Sequence, residues 1–241
     1  MSNFANKAFY NSAQTLQRLR ANLRRALPQH CALCAAHSGT MQVCTDCDRA
    51  MPRPGPACPM CALSTSDGAT CGRCLRHPPS FTATHAAFIY AFPLDRLVAR
   101  MKYGGQLACV DYFADALAAS IATWPDMLLP IPLSPSRQRA RGFNQSQEIA
   151  TRLSRHAGTR VGDALERTRD TPAQATLPWA GRMRNVRGAF RVTTSLRGLR
   201  VAIVDDVMTT GATLAAAATA ARRAGANAVE AWVVARTLAP S

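Results

Sequence analysis

The chain has 241 residues, 48% of them hydrophobic, with a formal net charge of +15. That length suits one ordinary domain plus a small appendage, and no run of 18 apolar residues is present to span a membrane. The Arg-rich excess of base points to an anionic partner such as nucleic acid or polyphosphate, although a solvated basic face gives the same charge.

Residues 1–29 form a basic extension. Leu16, Leu19, Leu23 and Leu27 recur at helical spacing among Lys7, Arg18, Arg20, Arg24 and Arg25. Such a helix can lie on the next module, touch a polyanion or act as a transit peptide.

Residues 30–78 hold four Cys-x-x-Cys pairs: Cys31 and Cys34, Cys44 and Cys47, Cys58 and Cys61, Cys71 and Cys74. Nine residues separate the first two pairs, and nine the last two. A Cys-x-x-Cys turn presents two sulfurs to one ion, and two turns complete a tetrahedral thiolate site. Equal spacing predicts two zinc ribbons in tandem with structural Zn²⁺, one or two ions. A crossed arrangement joining the first and third pairs remains open. Few large apolar side chains lie here, so the metal must supply folding energy. Eight paired cysteines in a chain of this size suit a reducing, cytoplasmic setting. Cys109 stands alone in an apolar segment and reads as core.

Residues 80–241 read as an α/β domain with a parallel sheet. The predicted elements are a strand over Thr82–Phe92, a helix from Pro93 to Lys102 stopped by Gly104 and Gly105, and a helix over Leu107–Trp124. A strand over Met127–Pro132 leads into a loop carrying Arg137, Arg139 and Arg141. A helix follows over Ser146–His156, then a short strand over Val161–Glu166. Residues Thr168–Gly181 are polar and read as a lid; Arg182–Phe190 reads as a basic helix with Arg182, Arg184 and Arg187. Final strands start at Arg200 and at Asn227. Alternation of strand and helix predicts a parallel sheet with its ligand at the strands' C-terminal ends.

The most informative stretch is Val201–Leu214. An apolar run, Val201–Val204, precedes two adjacent acids, Asp205 and Asp206, expected at the strand tip. Thr209, Thr210, Gly211, Ala212 and Thr213 then lead into an Ala-rich helix. A donor-rich loop at a helix N-terminus suits a phosphate. Two neighbouring carboxylates suit vicinal hydroxyls. A ribose 5-phosphate meets both requirements, and Arg forks in the loop after the Met127 strand suit a pyrophosphate in the same crevice.

The Val201–Leu214 stretch resembles the ribose-phosphate motif of type I phosphoribosyltransferases. With the tandem cysteine pairs, Lys102-Tyr-Gly-Gly105, the Pro130–Gln145 segment and Arg169-Asp-Thr-Pro-x-Gln174, it resembles the ComF family from about Cys31 to Ala235. The resemblance implies a double zinc ribbon followed by a phosphoribosyltransferase domain. It implies that Asp205 and Asp206 hold the ribose hydroxyls of phosphoribosyl pyrophosphate (PRPP) bound with Mg²⁺, and that Thr209–Thr213 hold its 5′-phosphate. Arg137, Arg139 and Arg141, with Lys102, then serve the pyrophosphate. It further implies use of external DNA or natural transformation, contact with single-stranded DNA and with other DNA-uptake proteins, and an acceptor that is unsettled. Either the chain is a transferase, or it is a DNA-binding uptake factor that retains a PRPP-like pocket.

Overall fold

The computed structural model describes residues 29–169 and 188–238. The basic helix expected in 1–28, and the bulk of the expected lid and basic helix between 170 and 187, lie outside them. The chain divides into two compact units, residues 1–50 and 51–241. The first cysteine quartet thus belongs to the small unit and the second to the unit that contains the sheet.

In the small unit, β1 (Gln29–His30) pairs antiparallel with β2 (His37–Gly39), and α1 (Thr45–Arg49) begins at Cys44. In the large unit, α2 (Gly72–Arg76) begins at Cys71 in the same way. The two quartets share a further detail. The residue after the second cysteine is left-handed in each: Ala35 at φ 61° and Ala62 at φ 54°. Each donates its N–H to the carbonyl of the first cysteine, Cys31 or Cys58. A left-handed alanine costs about 1 kcal/mol, and both ribbons accept that cost to close the same turn.

A five-stranded parallel sheet forms the centre of the large unit. Its strands are β3 (Ala83–Ile89), β4 (Met127–Pro130), β5 (Arg160–Val161), β8 (Arg200–Met208) and β9 (Ala228–Arg236), in the order β3-β9-β8-β4-β5. Side chains of a strand alternate between faces. Accordingly Met127, Leu129, Val201, Ile203, Val229, Ala231 and Val233 share one core with Leu214, Ala217 and Ala221 of α7 (Ala212–Arg223). Three further helices are amphipathic: α3 (Leu94–Gly104), α4 (Cys109–Ala118) and α6 (Gln145–Ala157). In α3 the buried set is Leu94, Leu97, Val98 and Met101, as its periodicity predicts, and Gly105 at φ 61° ends it. Cys109 is fully buried in α4.

Four local expectations need correction. Asp205 and Asp206 are not at the strand tip but inside the strand; β8 continues to Met208, because β9 pairs with it as far as Met208↔Arg236. On the other side β4 stops at Pro130↔Val204, so the acids lie where one flank of the sheet has ended. The Arg137–Arg141 loop is a helix, α5 (Pro135–Arg141), started by Ser134 and Pro135 and ended by Gly142 at φ 73°. The strand expected at Val161–Glu166 is two: β5 in the sheet, and β6 (Leu165–Arg167), which pairs with β7 (Phe190–Val192) in a separate antiparallel hairpin. The helix expected to reach Trp124 ends at Ala118; Ser120 beyond it bonds back to the Leu117 carbonyl.

The chain leaves β4 toward β5 on one side and leaves β8 toward β9 on the other. The C-terminal ends of β4 and β8 therefore flank the point where winding reverses, and there a crevice forms.

Candidate functional site

The two acids meet different partners. Asp205 Oδ1 accepts from Ser146 Oγ at 2.9 Å and from the Asp206 N–H at 2.9 Å. Asp206 Oδ1 accepts from the Val207 N–H at 2.7 Å. Lys102 Nζ lies 2.6 Å from Asp206 Oδ2. That contact is a close charge pair between a largely buried ammonium and a buried carboxylate. Burial, then the neighbouring Asp206 charge, push the Asp205 carboxyl up to about 7, against the pull of its donors and of Lys102. Burial works to neutralise Lys102, but attraction to Asp206 and Asp205 outweighs it and raises its pKa. The pair is thus a strained double acid with one internal cation.

Ser146 is placed by α6. Asn144 caps that helix, accepting from the Ser146 N–H at 3.0 Å while its amide donates to the Ile131 carbonyl. The cap, worth about 1 kcal/mol, ties the helix to the segment leaving β4 and aims Ser146 at Asp205.

Past Met208 the chain turns through Thr209 and Thr210 to Gly211 at φ 80°, and α7 starts without a side-chain cap. A Cβ on Gly211 would lie 2.6 Å from Met208 Cε, the flexible end of that side chain, so it is the left-handed conformation that calls for glycine. Thr210 Oγ1 accepts from the Ala212 N–H at 3.3 Å. The start of a twelve-residue helix, five residues beyond Asp206, is suited to a phosphate.

α5 separates the three arginines. Arg137 and Arg141 are four apart and share a helix face; Arg139 points away from both and is exposed. Arg141 is near enough to oppose the Lys102 charge, and its guanidinium lies 5.6 Å from the Tyr103 ring centre. Tyr103 follows Lys102 and is 80% exposed.

The cysteines gather in sequential quartets, Cys31, Cys34, Cys44 and Cys47, then Cys58, Cys61, Cys71 and Cys74, each with all sulfurs within 4.8 Å of one another. Sulfurs of a tetrahedral site with bonds of about 2.3 Å lie about 3.8 Å apart. Cys34 and Cys44 are separated by 3.7 Å, and so are Cys61 and Cys71. Burial resists ionisation of Cys58, yet N–H groups of Cys71, Cys61 and Met60 bring it down to about 7; Cys74 is pushed up by burial and its neighbouring sulfurs. Four sulfurs so close ionise together only around a cation, and the donor set fits Zn²⁺.

Residues 22–75 match the double zinc ribbon domain family, and residues 112–240, over half of the chain, match the phosphoribosyl transferase domain family. The DNA utilization protein YhgH of Escherichia coli K12 is 34% identical over 224 residues, covering 88% of this chain and 99% of that protein. The chain belongs to the ComF family. Competence protein F of Haemophilus influenzae is 30% identical over 213 residues, covering 83% of this chain and 93% of that relative. Competence protein ComFC of Bacillus subtilis is 25% identical over 187 residues, covering 72% and 75%.

Two arginines of this ComF chain escaped the sequence reading. Arg236, at the end of β9, is only 4% exposed. Its Nε donates to the Cys61 carbonyl at 2.8 Å; its Nη1 donates to the carbonyls of Met208 at 2.9 Å, of Thr209, and of Thr237 at 3.0 Å. Arg73 Nη2 donates to the Thr210 carbonyl at 3.4 Å. An arginine closing an apolar strand, and one between two metal-binding cysteines, were the available signals. No helix among the described residues is long and apolar enough to cross a membrane.

Proposed function

We propose that this chain binds PRPP with Mg²⁺ and transfers its phosphoribosyl group to an acceptor connected with the handling of DNA. One observation carries the reading: a paired-carboxylate site near the end of one strand is followed, five residues after Asp206, by a helix start with no side-chain cap at Gly211. Asp205 and Asp206 orient the ribose hydroxyls, and Thr209–Thr213 take the 5′-phosphate. For the diol to reach Asp206, Lys102 must let go. The freed ammonium then turns to the pyrophosphate, beside Arg141 and Arg137. The bond from C1 to the pyrophosphate oxygen breaks with its electron pair leaving on pyrophosphate. The acceptor's lone pair forms the new bond at C1, and the acceptor loses a proton. Fixed negative charge beside the sugar favours the cationic transition state. Mg²⁺ carried on the pyrophosphate supplies neutralisation of the leaving charge.

The names of the relatives, DNA utilization protein and competence protein, suggest a DNA-linked role here. A second reading, a non-catalytic single-strand binder that keeps the pocket, draws on Tyr103 and Arg141. An exposed aromatic with a guanidinium beside it suits an unpaired base and its phosphate. The two readings are compatible.

Thermal unfolding with ligand fragments tests the pocket. Ribose 5-phosphate alone should raise the melting temperature, and Mg²⁺-PRPP should raise it further. Stabilisation by pyrophosphate and none by ribose 5-phosphate would refute the ribose assignment. For the second reading, Asp206→Asn should abolish the PRPP effect and leave DNA binding in place.

A further inference from the structure

The second metal quartet and the phosphate loop are joined through two side chains, and this gives the quartet a task beyond folding its own ribbon. Arg73 lies between the ligands Cys71 and Cys74 and donates to the Thr210 carbonyl. Arg236 spans from the carbonyl of the ligand Cys61 to those of Met208 and Thr209. Three successive loop carbonyls, at 208, 209 and 210, are therefore held by cations on the ribbon side. In a trans peptide the N–H points opposite to the C=O. Holding those three carbonyls turns the N–H groups of Thr209, Thr210 and Gly211 the other way, as a set of donors for an anion.

The charge balance is as notable as the geometry. A guanidinium as buried as that of Arg236 is costly unless it is compensated. Among the described residues no carboxylate lies within ion-pair distance of it; every partner is a neutral carbonyl or hydroxyl. A zinc ion held by four thiolates is a net dianion. The quartet next to Arg236 thus supplies its counter-charge.

We infer that the second metal site is the anchor and counterion of the phosphate loop, with Arg236 and Arg73 as positioning residues that make anion binding at Thr209–Thr213 depend on metal at Cys58, Cys61, Cys71 and Cys74. The inference rests on the phosphate assignment of that loop. The first quartet supplies none of these donors or acceptors, so its metal has no part in the device.

The test is hydrogen exchange of peptides covering residues 205–216, with Mg²⁺-PRPP calorimetry and zinc content measured on the same full-length samples. In Cys71→Ser/Cys74→Ser protein, exchange in the loop should rise and PRPP affinity fall by about tenfold or more, as expected when several held carbonyls lose their donors. In Cys34→Ser/Cys47→Ser protein, loop exchange should stay at the wild-type value. Arg236→Lys keeps all eight cysteines of the two quartets and the charge but cannot span the same carbonyls; it should loosen the loop with zinc content unchanged. It serves as the deciding variant if the cysteine replacements do not fold. Unchanged loop exchange in Arg236→Lys, or equal loosening by loss of either metal, overturns the inference. If the wild-type protein takes up no PRPP, the PRPP reading fails separately, and the exchange comparison still decides the coupling.

Discussion

Lys102 Nζ stands 2.6 Å from Asp206 Oδ2, and the lysine comes from the motif directly before the exposed Tyr103. Under the proposed assignment, the cation occupies the place that a ribose hydroxyl would take. It offsets the charge of two adjacent acids, Asp206 buried and Asp205 half-buried, and under that assignment it has to move when a sugar arrives.

Lys102→Met should therefore destabilise the fold. An unpaired buried carboxylate costs about 3 kcal/mol, which for a domain of this size lowers the melting temperature by roughly 6–12 °C. Adding Asp206→Asn should restore most of the loss. Thermal unfolding of both singles and the double gives the coupling; additive losses would show that the pair is not energetically real.

The pH dependence follows from Asp205. Its pKa is about 7 in the folded chain against an ordinary 3.8. A carboxyl raised on folding binds its proton more tightly in the native state. Its contribution thus falls as pH rises from about 4 to 7, and the full cost is present above 7. Asp205→Asn should remove that slope and be more stable than wild type at pH 8 by on the order of 2 kcal/mol. Sugar hydroxyls prefer the ionised acid, so PRPP affinity of the wild type should rise between pH 6 and 8. Unfolding curves and calorimetry across that range check both signs.

Gly211→Ala places a side chain at φ 80° and crowds Met208. The strain should cost about 1–2 kcal/mol and weaken ribose 5-phosphate binding at least tenfold, with zinc content unchanged. Normal binding would mean that the loop is not the phosphate site.

Single-strand binding should be weak and salt-dependent. Tyr103→Ala should weaken it about tenfold, since one stacked base is worth roughly 1–3 kcal/mol. Arg137→Ala and Arg141→Ala should each reduce the slope of log affinity against log salt by about 0.7. Fluorescence anisotropy with a labelled oligonucleotide reads both, and an unchanged Tyr103→Ala would remove the ring from the interface.

Much of this was legible from local pattern. The Cys-x-x-Cys spacing announces two quartets, because a tetrahedral site leaves little freedom in the turn that feeds it. The Val201–Val204 run and the Ala-rich segment after Gly211 announce strand and helix. What escaped depends on the third dimension. Asp205 and Asp206 lie inside β8 because β9 happens to be long, a matter of pairing and not of propensity. The Arg137–Arg141 turn carries helix signals, Pro135 and Gly142, but it has no buried residues and so no apolar periodicity to mark it as a helix. Ser146 reaches Asp205 across 59 residues of chain, and Arg236 reaches Cys61 across 175; no spacing rule covers contacts of that kind.

The most direct test of the account is isothermal calorimetry of zinc-replete protein with Mg²⁺-PRPP, wild type beside Asp206→Asn. The account predicts one binding site per chain that is lost in the variant while its fold and metal content persist. Equal binding by both proteins would contradict the assignment of the acid pair, and no binding by the wild type would contradict the PRPP pocket itself.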